Sequence, residues 1–270
     1  MHPMVNMAVR AARAAGNIIV RHMDRLDAVS IESKGRNDFV SDVDRLAEQE
    51  IIQILRKAYP HHAILGEESG AHGQADDEYL WVIDPLDGTT NYLHGVPHFA
   101  VSIALRHQGR LEAGVIYDPL RQELFTAARG QGAQLDGRRI RVSDRRGLDG
   151  ALLGTGFPFK AQQHMDAYLD MFRALSRHAS DLRRAGAASL DLAYVACGRL
   201  DGFWEIGLQP WDIAAGALLI QEAGGIVGDL QGGPSFLDSG HVVAGNRKVF
   251  SGMVREIRPH CTPALLGQSA

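Results

Sequence analysis

The sequence predicts a mixed α/β protein, with an α+β first half and an α/β second half. Three observations carry that reading. Small and apolar residues recur every three or four positions near the start. Short β-branched and aromatic segments between residues 99 and 142 read as a β-meander. After about Gly150, short strands alternate with helices. The chain divides accordingly into 1–150, 151–258 and a tail, 259–270, expected to fray.

Val5, Ala8, Ala12, Ala15, Ile19 and Met23 share one helical face over residues 5–23. A second helix spans 42–58, with Val43, Leu46, Ala47, Ile51, Ile54 and Leu55 on its apolar side and Pro60 beyond its end. Residues 63–66 form a short strand that ends at Glu67-Glu68, and 79–83 form another that ends at Asp84. The meander follows in segments 99–105, 113–117 and 123–127, punctuated by Gly109-Arg110 and Asp118-Pro119. Beyond residue 150, strands at 151–155, 181–184, 202–205, 226–229 and 241–244 alternate with helices near 162–178, 187–198, 211–223 and 246–258.

With 270 residues the chain can build one large domain or two modest ones. Its 45% hydrophobic and 22% charged content is that of a soluble globular protein. A formal net charge of −4 gives no global reason to expect nucleic acid or an anionic membrane. No apolar run approaches the ~18 residues of a membrane span. The opening residues lack the basic and apolar regions of a signal peptide. Two cysteines, Cys197 and Cys261, fit reduced thiols in a cytoplasm.

The most informative stretch runs Trp81-Val-Ile-Asp84-Pro85-Leu86-Asp87-Gly88-Thr89-Thr90-Asn91. An apolar run delivers two carboxylates three positions apart, and a Gly-Thr-Thr turn then offers N–H groups and hydroxyls. Hard carboxylate oxygens gather Mg²⁺, and a turn entering a helix offers donors to an anion. Glu67 and Asp212 also sit where strands or turns meet helices. Singly, each has a bland explanation: Asp212 a helix N-terminal acid worth ~0.3–1 kcal/mol, Glu67-Glu68 a solvated turn, Asp84-Pro85 a turn opening. Asp44, in Ser41-Asp42-Val43-Asp44, matches a capping box. Jointly, close carboxylates repel unless a cation neutralises them. Four carboxylates and a phosphate monoester of about −2 would be balanced by three Mg²⁺. The chemistry this suggests is metal-assisted hydrolysis.

Gly66-Glu67-Glu68-Ser69, the 81–91 motif, Trp211-Asp212-Ile213-Ala214-Ala215-Gly216 and Glu222-Ala223-Gly224-Gly225 resemble the signatures of the inositol monophosphatases, lithium-sensitive Mg²⁺-dependent phosphatases. The similarity runs from Met1 to about Ile257. It implies a layered αβαβα sandwich, two to three Mg²⁺ per site and a homodimer. Glu67, Asp84, the Leu86 carbonyl and Asp87 would hold the first metal, Asp212 would complete the second, and Glu67 would reach the third. Thr89 and Asp44 would position the attacking water, and backbone N–H groups of Gly88, Thr89 and Thr90 would hold the phosphate. On the substrate side, Glu205 would accept ring hydroxyls, and Gly186-Ala187-Ala188 would touch the inositol edge, with Asp212 beside them. Ala187 replaces a threonine of the animal enzymes, and Phe157-Pro158-Phe159 is of the bacterial type. The implied activity is hydrolysis of myo-inositol monophosphates and similar polyol phosphates. Fructose bisphosphate and 3′-phosphoadenosine nucleotides are the alternatives within the superfamily. Resemblance to the bacterial branch also implies a binding role in transcription antitermination with RNA polymerase and the Nus factors.

Other motifs lose their support. Gly130-x-Gly132 and Gly154-x-Gly156 lack the third glycine of a dinucleotide fingerprint and read as turns or close packing. His94 and His98 have a zinc pair's spacing, but Gly95 and Pro97 disfavour the helical turn. His61-His62 reads as a solvated turn. Arg138, Arg139, Arg141, Arg145 and Arg146 read as a solvated edge, or as a basic patch for RNA or a protein. Arg183-Arg184 is a smaller cluster, which the resemblance places near the dimer contact and active-site edge.

Overall fold

A computed structural model describes residues 2–23, 31–35, 38–73 and 78–267. Helix α1 (Pro3–Met23) buries Val5, Ala8, Ala11, Ala12, Ala15 and Ile19 in one stripe. Strands β1 (Ile31–Gly35) and β2 (Asp38–Ser41), a hairpin the sequence pattern did not reveal, lead into α2 (Asp42–Ala58). Its stripe is Val43, Ala47, Ile51 and Leu55, whereas Leu46, expected on the same face, is 44% exposed. The alanines let α1 and α2 lie side by side.

Strands β3 (Ala63–Gly66), β4 (Gly70–His72) and β5 (Tyr79–Asp87), short helix α3 (Thr89–Leu93), then β6 (Ala100–His107), β7 (Arg110–Asp118), β8 (Glu123–Ala128), β9 (Gly132–Leu135) and β10 (Arg138–Arg139) follow. They build one sheet in the order β10-β9-β8-β7-β6-β5-β3-β4. Only the β3–β5 pairing in it is parallel. The remaining elements are β11 (Leu152–Thr155), α4 (Met165–Ser176), β12 (Asp181–Arg183), α5 (Ala188–Ala196), β13 (Gly202–Glu205), α6 (Pro210–Glu222), β14 (Ile226–Gly228), α7 (Phe236–Ser239), β15 (Val242–Gly245) and α8 (Arg247–Ile257). Their strands form a mixed sheet, β12-β11-β13-β15-β14.

The layers are α1/α2, the eight-stranded sheet, α5/α6, the five-stranded sheet and α4/α8, the αβαβα sandwich. Alternation along β5 shows why its run is apolar throughout. Trp81 and Ile83 enter the α1/α2 core, while Leu80 and Val82 enter the α5/α6 core. Helices α5 and α6 are buried nearly all round because sheets cover them on both sides.

Strand β5 does not end at Asp84 but continues to Asp87. Opposite β6, Asp84 pairs with Ser102 and Asp87 with Ala100, so three steps on one strand match two on the other. That extra residue is a bulge at Pro85, which has no N–H for the ladder. In a regular strand, side chains three apart point to opposite faces; the bulge brings both carboxylates to one side. Within the segment expected to fray, Ala264–Leu266 forms a 3-10 turn, and Leu265 is buried in the α4/α8 core. No helix among the described residues is long and apolar enough to cross a membrane.

Candidate active site

A cavity of about 360 Å³ opens where the C-terminal end of β5 meets the starts of α3, α5 and α6. Glu67, Asp84, Leu86, Asp87, Gly88, Thr89, Thr90, Ala188, Glu205 and Asp212 all line it. Carboxylate oxygens of Asp84, Asp87 and Asp212 lie within 4.8 Å of one another. Glu67 stands outside that tight group, but its carboxyl is in hydrogen-bonding contact with Asp84.

Each acid is held by local backbone. Asp84 Oδ1 accepts from Leu86 N at 2.9 Å across the bulge. Asp87 Oδ2 accepts from Ser189 N at 2.7 Å and from the Ser189 hydroxyl at 2.5 Å, at the first turn of α5. Asp212 Oδ2 accepts from Gln209 N at 2.7 Å, a capping box that Pro210 stiffens at the start of α6. Ser102 Oγ donates to Trp211 O at 3.0 Å and ties that helix start to β6, opposite Asp84. Asp212 is therefore both an acid at a helix N-terminus, as its position in the sequence suggests, and a member of the carboxylate cluster.

The electrostatics are those of a cation site. Burial, then Glu67, Asp87 and Asp212, drive the Asp84 carboxyl well above its usual pKa. Burial also raises Asp87, against the hydrogen bonds from Ser189. Burial and Asp87 push Asp212 up to about 7. Three carboxylate oxygens this close and this repulsive could hold a metal ion.

Asp44 does not line the cavity but reaches it through Thr89. Its Oδ2 accepts from Ser41 N at 2.9 Å and from Ser41 Oγ at 2.5 Å, completing the cap of α2. Its Oδ1 accepts from Thr89 Oγ1 at 3.1 Å, and that hydroxyl also lies 3.0 Å from Leu86 O. Gly88, at φ 94°, turns the chain from β5 into α3, and a Cβ there would meet His98 O at 2.9 Å.

Four lining residues escaped the sequence reading, Asp191, Lys160, Thr155 and Gln209, as did Ser189 behind Asp87, while Arg184, which the resemblance put near the active-site edge, lines the cavity. Asp191 had a signal, an acid inside an otherwise apolar helix. Gly154-x-Gly156 is close packing of a particular kind. A side chain at Gly156 would overlap the Glu205 carboxylate, and one at Gly154 would sit 3.5 Å from Asp191 Cγ. Burial and Asp191 hold the Glu205 carboxyl well above its usual range, and Arg184 opposes the shift.

Outside the cavity, His62 corrects an expectation. It stacks between Tyr59 and Tyr79 at centroid distances of 4.7 and 4.5 Å, and its Nδ1 accepts from Trp81 Nε1 at 3.1 Å. It is not a solvated turn. Among the described residues His94 and His98 join no metal-holding group. Arg138, Arg139, Arg141 and Arg146 are exposed, while Arg145 pairs with Asp201 at 2.7 Å.

Residues 1–262 match the model of the inositol monophosphatase family. A relative from Pseudomonas aeruginosa, named Nus factor SuhB, is 60% identical over 270 residues, covering 98% of this chain and 99% of its own. The crystal structure of the extragenic suppressor protein suhB from Bartonella henselae superposes with a TM-score of 0.92 at 45% identity, covering 95% of this chain and 99% of that one. The inositol monophosphatase from Anabaena superposes at 0.86 with 40% identity and 95% coverage of each chain.

Proposed function

The chain belongs to the inositol monophosphatase family, and on that premise we propose that it hydrolyses myo-inositol monophosphates and related small polyol phosphates with two to three Mg²⁺ ions. The observation that carries this is the convergence of Asp84, Asp87 and Asp212 within 4.8 Å in a cavity large enough for a small ester. Glu67, Asp84, the Leu86 carbonyl, Asp87 and Asp212 would hold the ions. Bound Mg²⁺ would supply a more acidic water and charge stabilisation at the phosphoryl group.

The chain's own groups supply orientation. The Thr89 hydroxyl spends its proton on Asp44 and Leu86 O, so its lone pairs are free to accept from an attacking water. Asp44 is the acceptor at the end of that relay; burial raises its pKa, which suits it to take a proton. Backbone N–H groups of Gly88, Thr89 and Thr90, at the first turn of α3, have no intrahelical partners and suit phosphate oxygens. Glu205, which lines the cavity as Ala188 does, would supply the acceptor for substrate hydroxyls. Free Cys197 and Cys261 support a cytoplasmic setting.

A phosphate-release panel tests the substrate. Myo-inositol 1-phosphate should exceed fructose 1,6-bisphosphate and 3′-phosphoadenosine phosphate in kcat/KM; the reverse order would move the protein to another branch. The name of the Pseudomonas relative favours a second role, in antitermination with RNA polymerase and Nus factors. An inactive Asp84→Asn protein that still supports antitermination would make that role independent of catalysis. Loss of both would tie the two together.

A further inference from the structure

We propose that Ser189 is a positioning residue that sets how tightly the carboxylate cluster takes a divalent cation. The inference rests on the reading of Asp84, Asp87 and Asp212 as cation ligands. It begins from two atoms of one residue meeting one oxygen. Ser189 is fully buried, and its N and Oγ donate to the same Asp87 Oδ2 at 2.7 and 2.5 Å. Asp87 ends a strand of the eight-stranded sheet and Ser189 opens a helix of the central layer, 102 residues later.

The two donors differ in what they require. Any residue but proline at position 189 would supply the backbone N–H, and the Ala188 N–H adds to it. The hydroxyl is the part that the side chain alone provides. A hydroxyl pressed on a carboxylate oxygen is a short, charge-assisted bond. With Oδ2 occupied from two sides, rotation about the Asp87 carboxyl is blocked and Oδ1 is left as the oxygen for a cation. Losing a partner that orients a metal ligand in this way typically costs about 10- to 100-fold in metal affinity.

A plain structural alternative exists, in which Ser189 serves only to start α5. The two roles separate in a variant that keeps the backbone and loses the hydroxyl. The test is Ser189→Ala, with Mg²⁺ titrated calorimetrically into chelator-treated, full-length protein and melting curves recorded with and without the ion. Mg²⁺ binding should weaken by about 10- to 100-fold. The Mg²⁺-induced rise in melting temperature should shrink, and the Mg²⁺ needed for half-maximal phosphate release should rise in parallel. Unchanged Mg²⁺ affinity overturns the proposal, whatever the metal-free melting temperature does. A variant that fails to fold also overturns it, since Ser189 would then belong to the fold. A wild-type protein that takes up no Mg²⁺ would instead overturn the parent reading of the cluster.

Discussion

At one end of the cavity Asp84, Asp87 and Asp212 bring carboxylate oxygens within 4.8 Å of one another, and Glu67 acts on Asp84. At the other end Asp191 and Glu205 are also raised well above ordinary carboxyl values, but Arg184 acts on both. Lys160 offsets Asp87 and Asp212 only in part, behind burial in each case. One guanidinium there opposes the shift of both acids, behind burial and neighbouring acids in each case. Acids whose neighbours are acids need either protons or an ion from outside. On the proposed reading, the second end would read the substrate and the first would be completed by metal.

The largest expected effect breaks the metal end. Asp84→Asn should lower phosphate release by more than about 100-fold at saturating Mg²⁺, beyond what loss of an outlying partner does; a near wild-type rate would remove Asp84 from the site. Glu205→Gln should act differently, raising KM for myo-inositol 1-phosphate by about 10-fold with a smaller change in kcat, as for loss of a hydrogen bond to a charged group. Equal effects on para-nitrophenyl phosphate, which has no ring hydroxyls, would contradict the division.

The contrast also has a pH signature. Asp212 has an ordinary value of 3.8 and sits near 7 in the folded, metal-free protein. Its contribution to stability is therefore fully present below about pH 4 and is lost as pH rises through about 7. Chelator-treated protein should melt lower at pH 8 than at pH 5.5, and Mg²⁺ should restore more at the higher pH. A chelated protein stabler at pH 8 would reverse the sign. The smallest effect is expected at Ser102, whose hydroxyl ties the start of α6 to β6. Ser102→Ala should cost about 1 kcal/mol in urea unfolding, with a modest loss of Mg²⁺ affinity through Asp212.

Much of this was legible before folding. Asp84, Asp87, Thr89 and Asp212 announce themselves because acids and hydroxyls interrupt apolar runs at element ends. The 42–58 helix and the 63–66 strand emerge at the bounds the periodicity gives. The bulge at Pro85 was not legible, since a period-two pattern on a strand buried from both faces leaves no polar beat to show a skipped residue. Ser189 was invisible because a serine in a helix start reads as ordinary capping, and only the sandwich brings it to Asp87. Leu46 misled because a helical stripe identifies a face, and whether its margin is covered depends on the neighbouring layer.

The most direct measurement is a crystal grown with Mn²⁺ and phosphate, with anomalous scattering collected at the manganese edge. A peak within coordination distance of Asp84, Asp87 and Asp212, with phosphate beside Gly88–Thr90, is the expected result. Manganese bound elsewhere, with these three carboxylates left to protons or water, would contradict the account.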